Sequence, residues 1–572
     1  MLIHRSLAPW TLALLAVPSP AALAQEAPQP ASFEFDLAAA EHLLNRAGFG
    51  AGPDELQRFQ ARGMDAAVES LFLPHRYVDP FPAVQWRIYD LDEYAAARAE
   101  KVGVAGLSEE ERQERLKEFR RERRGKDYRQ MGDYAGWWIE RMLDGDDPLR
   151  DRMTLFWHGY FTSSMQDVRN SWEMIQQHTL LRENALGNFG DLLLAVAQDP
   201  AMLEYLDNDV NKKREPNENF ARELLELFTL GEGFYEESDI VAAAAAFTGW
   251  TDRRGEFVFK RTQHDSSKKT FLGVTGKHGG EEIIEILLEQ PRTAAYLATR
   301  LLSYFEGAEP DVARVGTYAD LLLESNYEMR PFLEALFRDP EFYADDVRGL
   351  RIASPVDFLV GTSRRIGCDP PPEIVGLAAQ SLGESLFFPP NVKGWPGGRA
   401  WITTSTLMQR GNLAGVFLGA LSVKEFLDDV DELGGYSMDD GMAGGMAGGM
   451  QDGMDMEGAG VEGPDEGGGL FERALKAMDR LGWSPRIHLG ARIKHRGARS
   501  DAEVVDALCE ELLAIQVEPG PRAELVAWLE SARASASLPE GGYMDRGSVE
   551  DGEAILRRLA HLILSLPEAQ LH

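Results

Sequence analysis

Four oxygen-bearing side chains follow one another at the spacing of a calcium-binding loop. Positions 1, 3, 5 and 12 of such a loop correspond to Asp207, Asp209, Asn211 and Glu218. This spacing predicts a site for Ca²⁺ or another hard divalent cation. However, Lys212 stands where the sharp turn of the loop needs Gly, and a turn stabilised by Asx side chains explains the same residues without a metal.

A second set of carboxylates continues along the next predicted helix. Glu218, Arg222 and Glu226 are spaced by four, so Arg222 is predicted to pair with a carboxylate one turn away on either side. Such a ladder favours a structural role, because Arg keeps both acids ionised and removes their capacity as general acids. The alternative is a catalytic carboxylate site, for which Glu223 on the same helix is the candidate.

Two histidines could act as bases. His158 precedes Ser163 and Ser164, but no third residue or nucleophile-elbow sequence accompanies them, and a buried, hydrogen-bonded His explains the position. His264 is followed directly by Asp265, and a carboxylate partner can fix the tautomer of an imidazole. Because adjacent residues seldom point the same way, a loop contact is the default interpretation of this pair.

A segment rich in Pro and Gly carries polar and aromatic side chains. It reads PPNVKGWPGG from 389 to 398, and its composition predicts an ordered loop, since Pro fixes φ and Gly permits close approach. The candidates for ligand binding are Asn391, Lys393, Trp395 and Trp401. The two Trp rings could stack on a sugar or a peptide, or they could pack the loop onto the core.

Several motifs of well-known enzymes are missing from the chain. There is no HExxH sequence, no P-loop, no GxSxG and no dinucleotide fingerprint. These absences exclude the easily recognised enzyme classes and no others.

The elements that must position these residues are predominantly helices. Asp36 is predicted to cap the first helix, and Pro148 to open a helix through Tyr160 whose apolar residues recur at spacings of four, three and four. One β-hairpin is expected around Arg254–Gly255. Opposite charges alternate from 108 to 130, which favours a solvated helix over a basic ligand patch. The fold class is therefore mainly α, a multi-helix globular core with a small β-hairpin.

Composition divides the chain into four segments. Residues 1–24 resemble a signal peptide, with a basic start, a short apolar stretch and a cleavage site after Ala24. Residues 33–430 form the helical core domain, 434–469 a disordered Gly- and Met-rich linker, and 470–572 a C-terminal helical segment that packs on or beside the core. The linker methionines recur every four residues and could ligate Cu(I), but no His or Cys joins them and a plain spacer is favoured.

The charge balance of the 572-residue chain is acidic. It has 59 Lys and Arg against 93 Asp and Glu, a net charge of −34, which argues against nucleic acid or an anionic membrane surface as a partner. After the signal peptide no apolar stretch is long enough to serve as a transmembrane anchor, so a periplasmic or secreted location is expected. The two cysteines, Cys368 and Cys509, fall in different segments, and a disulfide between them is not expected.

Six strings of the sequence, in this order, resemble the bacterial domain-of-unknown-function 1800 family. They are HLLNRAGFG (42–50), FWHGYF (156–161), NENFARELLELFTLGEG (217–233), AFTGW (246–250), the His264–Asp265 pair with Lys268, and PPNVKGWPGG (389–398). The set spans about residues 37 to 412, and the closing LAHLILSLPEAQLH is similar to the family's usual ending. The resemblance implies an exported protein without an established activity. Because genes of the family often lie beside those of the exported, sulfatase-like domain-of-unknown-function 1501 family, it also implies such a protein as a partner.

The chain departs from the family at several positions. Tyr160 and Phe228 stand where many members have His, and Glu384 stands where a Gln is common. If those histidines bind or react in relatives, this protein lacks them. His158 and His264 are retained, so the resemblance makes them the better candidates for any shared chemistry.

Two functions compete. The first is a non-catalytic, exported helical scaffold that binds a partner protein or an envelope polymer, and it is favoured because the polar cores of large helical proteins produce such strings without catalysis. The second is a hydrolase, with or without a divalent cation, whose polar pocket gathers His158, His264, Asp265, Glu218 and Glu223. Convergence of these side chains in one concave pocket would favour the enzyme.

Overall fold

Helices make up most of the chain. The computed structural model describes residues 33–73, 108–424, 470–540, 542–543 and 549–572. The predicted signal peptide and the Gly- and Met-rich linker lie outside these ranges. Within them the chain forms 23 α-helices and two two-stranded sheets, which confirms the mainly α fold class.

The helices fall into three groups along the chain. Those before the first strand are α1 (Leu37–Ala47), α2 (Pro53–Gln60), α3 (Met64–Leu71), α4 (Glu109–Asp144), α5 (Pro148–Tyr160), α6 (Met165–Val168), α7 (Ser171–Glu183), α8 (Phe189–Ala197), α9 (Pro200–Tyr205), α10 (Asn219–Glu223) and α11 (Glu237–Phe247). Those between the last strand and residue 424 are α12 (Gly280–Leu288), α13 (Pro291–Glu306), α14 (Val312–Glu324), α15 (Met329–Arg338), α16 (Pro355–Ile366), α17 (Pro372–Ser381) and α18 (Thr404–Leu418). Those after residue 469 are α19 (Leu470–Leu481), α20 (Leu489–Arg496), α21 (Asp501–Leu512), α22 (Pro519–Ser535) and α23 (Val549–Leu564).

Helix ends follow the chemistry of the residues that flank them. The Asp36 carboxylate accepts a hydrogen bond from the Ala39 amide at 2.8 Å and so caps α1, as predicted. Pro148 occupies the first turn of α5, where its missing N–H costs nothing, and the helix runs to Tyr160. Local sequence therefore sets the bounds of the helix that carries His158.

The predicted hairpin forms, and a second one follows it. Strand β1 (Trp250–Asp252) pairs with β2 (Phe257–Phe259) in antiparallel register, with Trp250 opposite Phe259. Strand β3 (Lys269–Phe271) pairs likewise with β4 (Val274–Gly276). The second turn has φ of 44° at Leu272 and 81° at Gly273. A hairpin turn with both central residues at positive φ usually has Asn or Asp before Gly. Because Leu272 occupies that position here, the sequence did not predict this turn.

The charge-rich segment is part of a long, solvated helix. Helix α4 begins with a capping box in which Ser108 and Glu111 bond to each other's backbone amides. Its first turns are largely exposed and carry ion pairs along the helix, such as Arg115 with Glu118 at 2.9 Å. The prediction of a solvated helix is confirmed.

Two clusters of buried apolar side chains form the core. The first lies among α1–α3, α5 and the helices from α8 to α15. The second contains Trp138 of α4, Phe417 of α18, and Leu475, Leu508 and Leu559 of the C-terminal helices. The C-terminal helices thus share a core with α4 and α16–α18.

A buried ion network ties distant helices together. Asp357 at the start of α16 pairs with Arg152 of α5 and with Arg351, each at 2.5 Å. The side chains of Arg152 and Asp357 are fully buried. Arg46 of α1 donates to the main-chain oxygen of His572 at 2.8 Å. Contacts of these charged side chains therefore link α5 with α16 and link α1 with the residues near position 572.

Two further predictions concern the whole chain. In the described ranges, no helix combines the length and apolar character needed to cross a membrane. Cys368 and Cys509 are both free thiols.

Candidate functional site

The segment from Asn217 to Gly233 contains a break in helical geometry. Asn217 accepts a hydrogen bond from the Asn219 amide at 2.9 Å and so helps to start α10. The helix then widens into a π-helical turn at Leu224–Thr229, with the Leu230 amide bonded to the Leu225 carbonyl at 2.8 Å. Such π-turns occur frequently at functional sites.

Side chains from two other helices hold this π-turn. Tyr160 of α5 donates to the Phe228 carbonyl at 2.9 Å, and Tyr296 of α13 donates to the Leu227 carbonyl at 3.0 Å. Arg292 donates through Nε to the Leu230 carbonyl at 2.7 Å. The carbonyls at the end of the turn therefore have fixed partners, and the π-turn is part of the packed structure.

A surface cavity of about 280 Å³ opens beside the π-turn. We call it the convergence cavity, and its lining residues are Gly159, Tyr160, Glu226, Leu227, Gly231, Glu232, Tyr296, Arg300, Val392 and Lys393. Three of the motif strings contribute to this lining: FWHGYF, NENFARELLELFTLGEG and PPNVKGWPGG. Segments far apart in sequence thus meet at one concave surface.

Charges at the mouth of the convergence cavity are mostly paired. Lys393 Nζ lies 3.1 Å from Glu232 Oε1 and 4.0 Å from Glu226 Oε1. The hydrogen bond with Glu232 raises the pKa of the Lys393 ammonium. Glu226 also accepts a hydrogen bond from the Tyr235 hydroxyl at 3.0 Å. The guanidinium of Arg300 lies 5.4 Å from the centre of the Tyr160 ring.

The predicted ion-pair ladder is wrong in one of its two pairs. Arg222 pairs with Glu218 at 3.3 Å, as expected, but its second partner is Glu237 at 2.7 Å. Glu226 instead faces Lys393 and Tyr235. The reason is the π-turn, which starts at Leu224 and inserts an extra residue, so a spacing of four no longer returns to the same face.

Glu223, the candidate catalytic carboxylate, lies beside the convergence cavity. Burial raises the pKa of its carboxyl, and the charge of Glu226 raises it further, whereas Lys393 and Arg222 oppose the shift. Two cavity-lining residues therefore influence its protonation. A carboxyl that holds its proton more tightly is suited to general-acid chemistry.

His158 lies in the interior and acts as a hydrogen-bond acceptor. Its Nε2 accepts from the Phe387 amide at 3.1 Å, and its ring centre lies 5.4 Å from those of Trp138 and Trp395. Burial lowers the pKa of His158 to about 3, so the imidazole is neutral at physiological pH. Ser163 accepts a hydrogen bond from Gln177 and Ser164 caps α6, so the described contacts of these serines serve the fold.

His264 and Asp265 lie next to the first hairpin. Nδ1 of His264 bonds to the Thr248 carbonyl at 3.0 Å, and its ring packs on Phe259 with centres 5.2 Å apart. The Asp265 carboxylate accepts from the Ser267 amide at 2.8 Å. The described contacts of His158 and His264 share no residue, and neither histidine is among the residues that line the convergence cavity.

The residues of the predicted cation site have other partners. Both polar atoms of the Asn211 side chain are engaged: Nδ2 donates to Asn208 Oδ1 and the Ala244 carbonyl, and Oδ1 accepts from the Asn217 amide. Glu218 pairs with Arg222. Asp207 precedes a short 3₁₀ turn, Asn208–Val210, and Asp209 lies within it. Over the described residues, no three His, Cys, Asp or Glu side chains are grouped to hold a metal ion, and the divalent-cation site stays a prediction.

The loop with the candidate ligand-binding residues contributes one of them, Lys393, to the cavity lining. Asn391 accepts from the Lys393 amide at 2.9 Å and so shapes the turn. Trp395 is half-buried against His158, and Trp401 is buried, so both rings pack the loop onto the core. Gly394 is needed here, because its φ is +78° and a Cβ would lie 2.9 Å from the Gly159 carbonyl oxygen.

Sequence analysis missed the aromatic and basic side of the convergence cavity. Tyr160, Tyr296 and Arg300 come from α5 and α13, whose patterns are those of ordinary amphipathic helices. Arg300 is exposed and resembles any solvated helix residue in the sequence. The one available signal was Tyr160, a position where the resemblance leads one to expect His.

The fold and the site together define a large, mainly α-helical protein with a polar surface cavity built on a π-turn. The family model described as protein of unknown function (DUF1800) matches residues 42–571, and the chain belongs to this family. The resemblance noted from the six strings is confirmed and extends through the C-terminal helices. Comparisons with curated proteins and with solved structures gave no match.

Proposed function

We propose that this protein is an exported, non-catalytic helical scaffold that binds a polymer of the bacterial envelope at the convergence cavity. The observation that carries the proposal is the meeting of three motif strings at one solvent-exposed concave surface, while the two histidines are engaged elsewhere by backbone groups. We infer export from the N-terminal sequence alone, which resembles a signal peptide.

A feature beside the cavity favours an extended ligand. The cavity itself, of about 280 Å³, has room for one small unit of a ligand. Next to it Phe234 is 53% exposed, and one face of its ring is covered by the Arg292 guanidinium at 3.7 Å. A polymer can place one unit in the cavity and a neighbouring unit over the Phe234 ring.

A partner protein fits this surface less well. Stable protein interfaces usually bury about 800 Å² on each side, with an apolar centre from which charges are depleted. Here four of the ten residues that line the cavity are charged: Glu226, Glu232, Arg300 and Lys393. The sulfatase-like partner of the 1501 family remains a prediction, which co-expression followed by size-exclusion chromatography of both chains would test.

Co-sedimentation tests polymer binding. The mature protein, starting at Gln25, would be mixed with insoluble bacterial cell-wall sacculi and centrifuged, and the pelleted fraction measured over a range of polymer concentrations. We expect saturable binding that Phe234→Ala weakens. Phe259→Ala, which removes an exposed ring from the first hairpin, is the matched control and should bind as the wild type does.

Two results would contradict the proposal. The first is the absence of saturable sedimentation. The second is a loss of binding in Phe259→Ala that equals the loss in Phe234→Ala, which would place the contact at the hairpin or indicate nonspecific adsorption.

The hydrolase alternative has one observation in its favour, the raised pKa of Glu223 beside the convergence cavity. A hydrolase would release soluble fragments from the sacculi, and Glu223→Gln would abolish that release while leaving sedimentation intact. Release of fragments by the wild type but not by this variant would replace the scaffold proposal with the enzyme.

A further inference from the structure

The two cations that line the convergence cavity differ in their acidic neighbours. Lys393 has two acidic neighbours, Glu232 at 3.1 Å and Glu226 at 4.0 Å. Arg300 lines the cavity from α13, and in the described part of the chain no hydrogen bond or ion pair engages its guanidinium. Of the two cations that line the cavity, Arg300 is therefore the one available to a ligand.

Packing holds the Arg300 guanidinium near the cavity. The Tyr160 ring beneath it is buried, and the Tyr160 hydroxyl is anchored to the Phe228 carbonyl of the π-turn. The separation of 5.4 Å between guanidinium and ring centre is within the range of a cation–π contact. A guanidinium presents planar, paired N–H donors that match the two oxygens of a carboxylate.

The surroundings limit how much negative charge a ligand can carry. Glu226 and Glu232 line the same cavity, Glu223 lies beside it, and the chain as a whole has a net charge of −34. Dense polyanions such as phosphate or sulfate polymers would be repelled. A ligand with an isolated carboxylate satisfies Arg300 without adding a second charge near the glutamates.

We infer that the convergence cavity recognises a single carboxylate of the envelope polymer through Arg300. This inference rests on the proposed function and names the chemical group that the polymer must present. In a bacterial cell wall such a carboxylate comes either from an acidic sugar of the glycan or from the peptide side chains attached to it.

The test compares three forms of the polymer. Sacculi would be used untreated, with their carboxylates converted to amides, and after enzymatic removal of the peptides. Each form would be co-sedimented with wild type, Arg300→Gln, Arg300→Lys and Arg486→Gln. Arg486 is exposed in the C-terminal segment, and its replacement controls for the loss of one positive charge.

We expect Arg300→Gln to weaken binding to untreated sacculi by roughly tenfold or more, as loss of a charge-assisted hydrogen bond implies. Arg300→Lys should recover part of the affinity, and Arg486→Gln should bind as the wild type does. With amidated sacculi the wild type should bind as weakly as Arg300→Gln. Retained binding after peptide removal would place the carboxylate on the glycan, and lost binding would place it on the peptides.

Two outcomes overturn the inference while leaving polymer binding intact. These are equal binding of the wild type to amidated and untreated sacculi, and undiminished binding of Arg300→Gln to untreated sacculi. If no form of the polymer sediments the wild type, the proposed function fails and the inference fails with it. Thermal melts of all four proteins establish that each is folded.

Discussion

The backbone amide of Phe387 donates a hydrogen bond to Nε2 of His158 across 229 positions of sequence, at 3.1 Å. Phe387 has a φ of 68°, which is unusual for a bulky residue, and both residues are buried. The imidazole nitrogen that would serve a catalytic base is therefore engaged by the main chain. This relationship makes His158 a part of the packing between α5 and the 387–395 loop.

His158 should make the stability of the protein depend on acidic pH. Burial lowers the pKa of His158 to about 3, whereas an unfolded His titrates near 6.5, so its contribution is present above pH 6.5 and is lost as the pH falls towards 3. The free energy of unfolding of the wild type should therefore fall with decreasing pH, and His158→Gln should reduce this pH dependence by up to about 1.4 kcal/mol per pH unit. Urea unfolding at pH 4 to 7 measures this, with the exposed His488→Gln as control. Parallel curves for wild type and His158→Gln would contradict it.

Glu384 should have the opposite effect at higher pH. Its carboxylate is buried and accepts from the Val356 amide at 2.8 Å, and burial raises its pKa to about 7. The contribution is present below the unfolded value near 4.5 and is lost as the pH rises through 7. Glu384→Gln keeps the acceptor and removes the charge, so it should gain stability relative to wild type between pH 5 and 8. Thermal melts at both pH values check this, and the exposed Glu281→Gln should show no such gain.

Removal of the Asp357 charge should be costly. Asp357→Asn would leave Arg152 and Arg351 with reduced compensation in the interior, and breaking a buried pair typically costs about 3–5 kcal/mol. The exposed pair of Glu69 and Arg330, at 2.8 Å, is the matched comparison, because Glu69→Gln should cost about 1 kcal/mol or less. Urea unfolding measures both. Equal losses would show that burial does not distinguish the pairs.

The two cysteines should be present as unreactive thiols. Burial raises the pKa of Cys368 to about 12 and that of Cys509 to about 12, so little thiolate is present near pH 8. A thiol reagent such as dithionitrobenzoate should label the native protein slowly and release two equivalents after denaturation without a reductant. Fewer than two equivalents in denaturant would reveal a disulfide.

Local features of the fold were predictable from sequence. The capping Asp36, the first-turn Pro148 and the hairpin at Arg254–Gly255 act over a few residues, and the structure contains all three. The second hairpin escaped because Leu272 adopts a backbone conformation that its residue type disfavours. Short-range rules succeed where residue preference and backbone conformation agree.

The convergence cavity depends on features beyond those rules. A regular helix predicts that Leu227 is buried, but the π-turn leaves it half-buried at the cavity and buries Leu225 instead. Nothing in the pattern of α13 distinguishes Arg300 from a solvated arginine. Arg300 becomes a candidate for ligand binding only in the folded structure, where Lys393 is paired with glutamates and the described residues give Arg300 no such partner.

The widened turn at Leu224–Thr229 makes the cavity sensitive to how the chain winds there. If the same residues wound as an ordinary helix, the residues after the turn would rotate by about 100° relative to those before it. Glu232 would turn away from Lys393, while Glu223, which precedes the turn, would keep its place. A change of winding alone could thus dismantle the recognition surface, with every side chain that forms it still present.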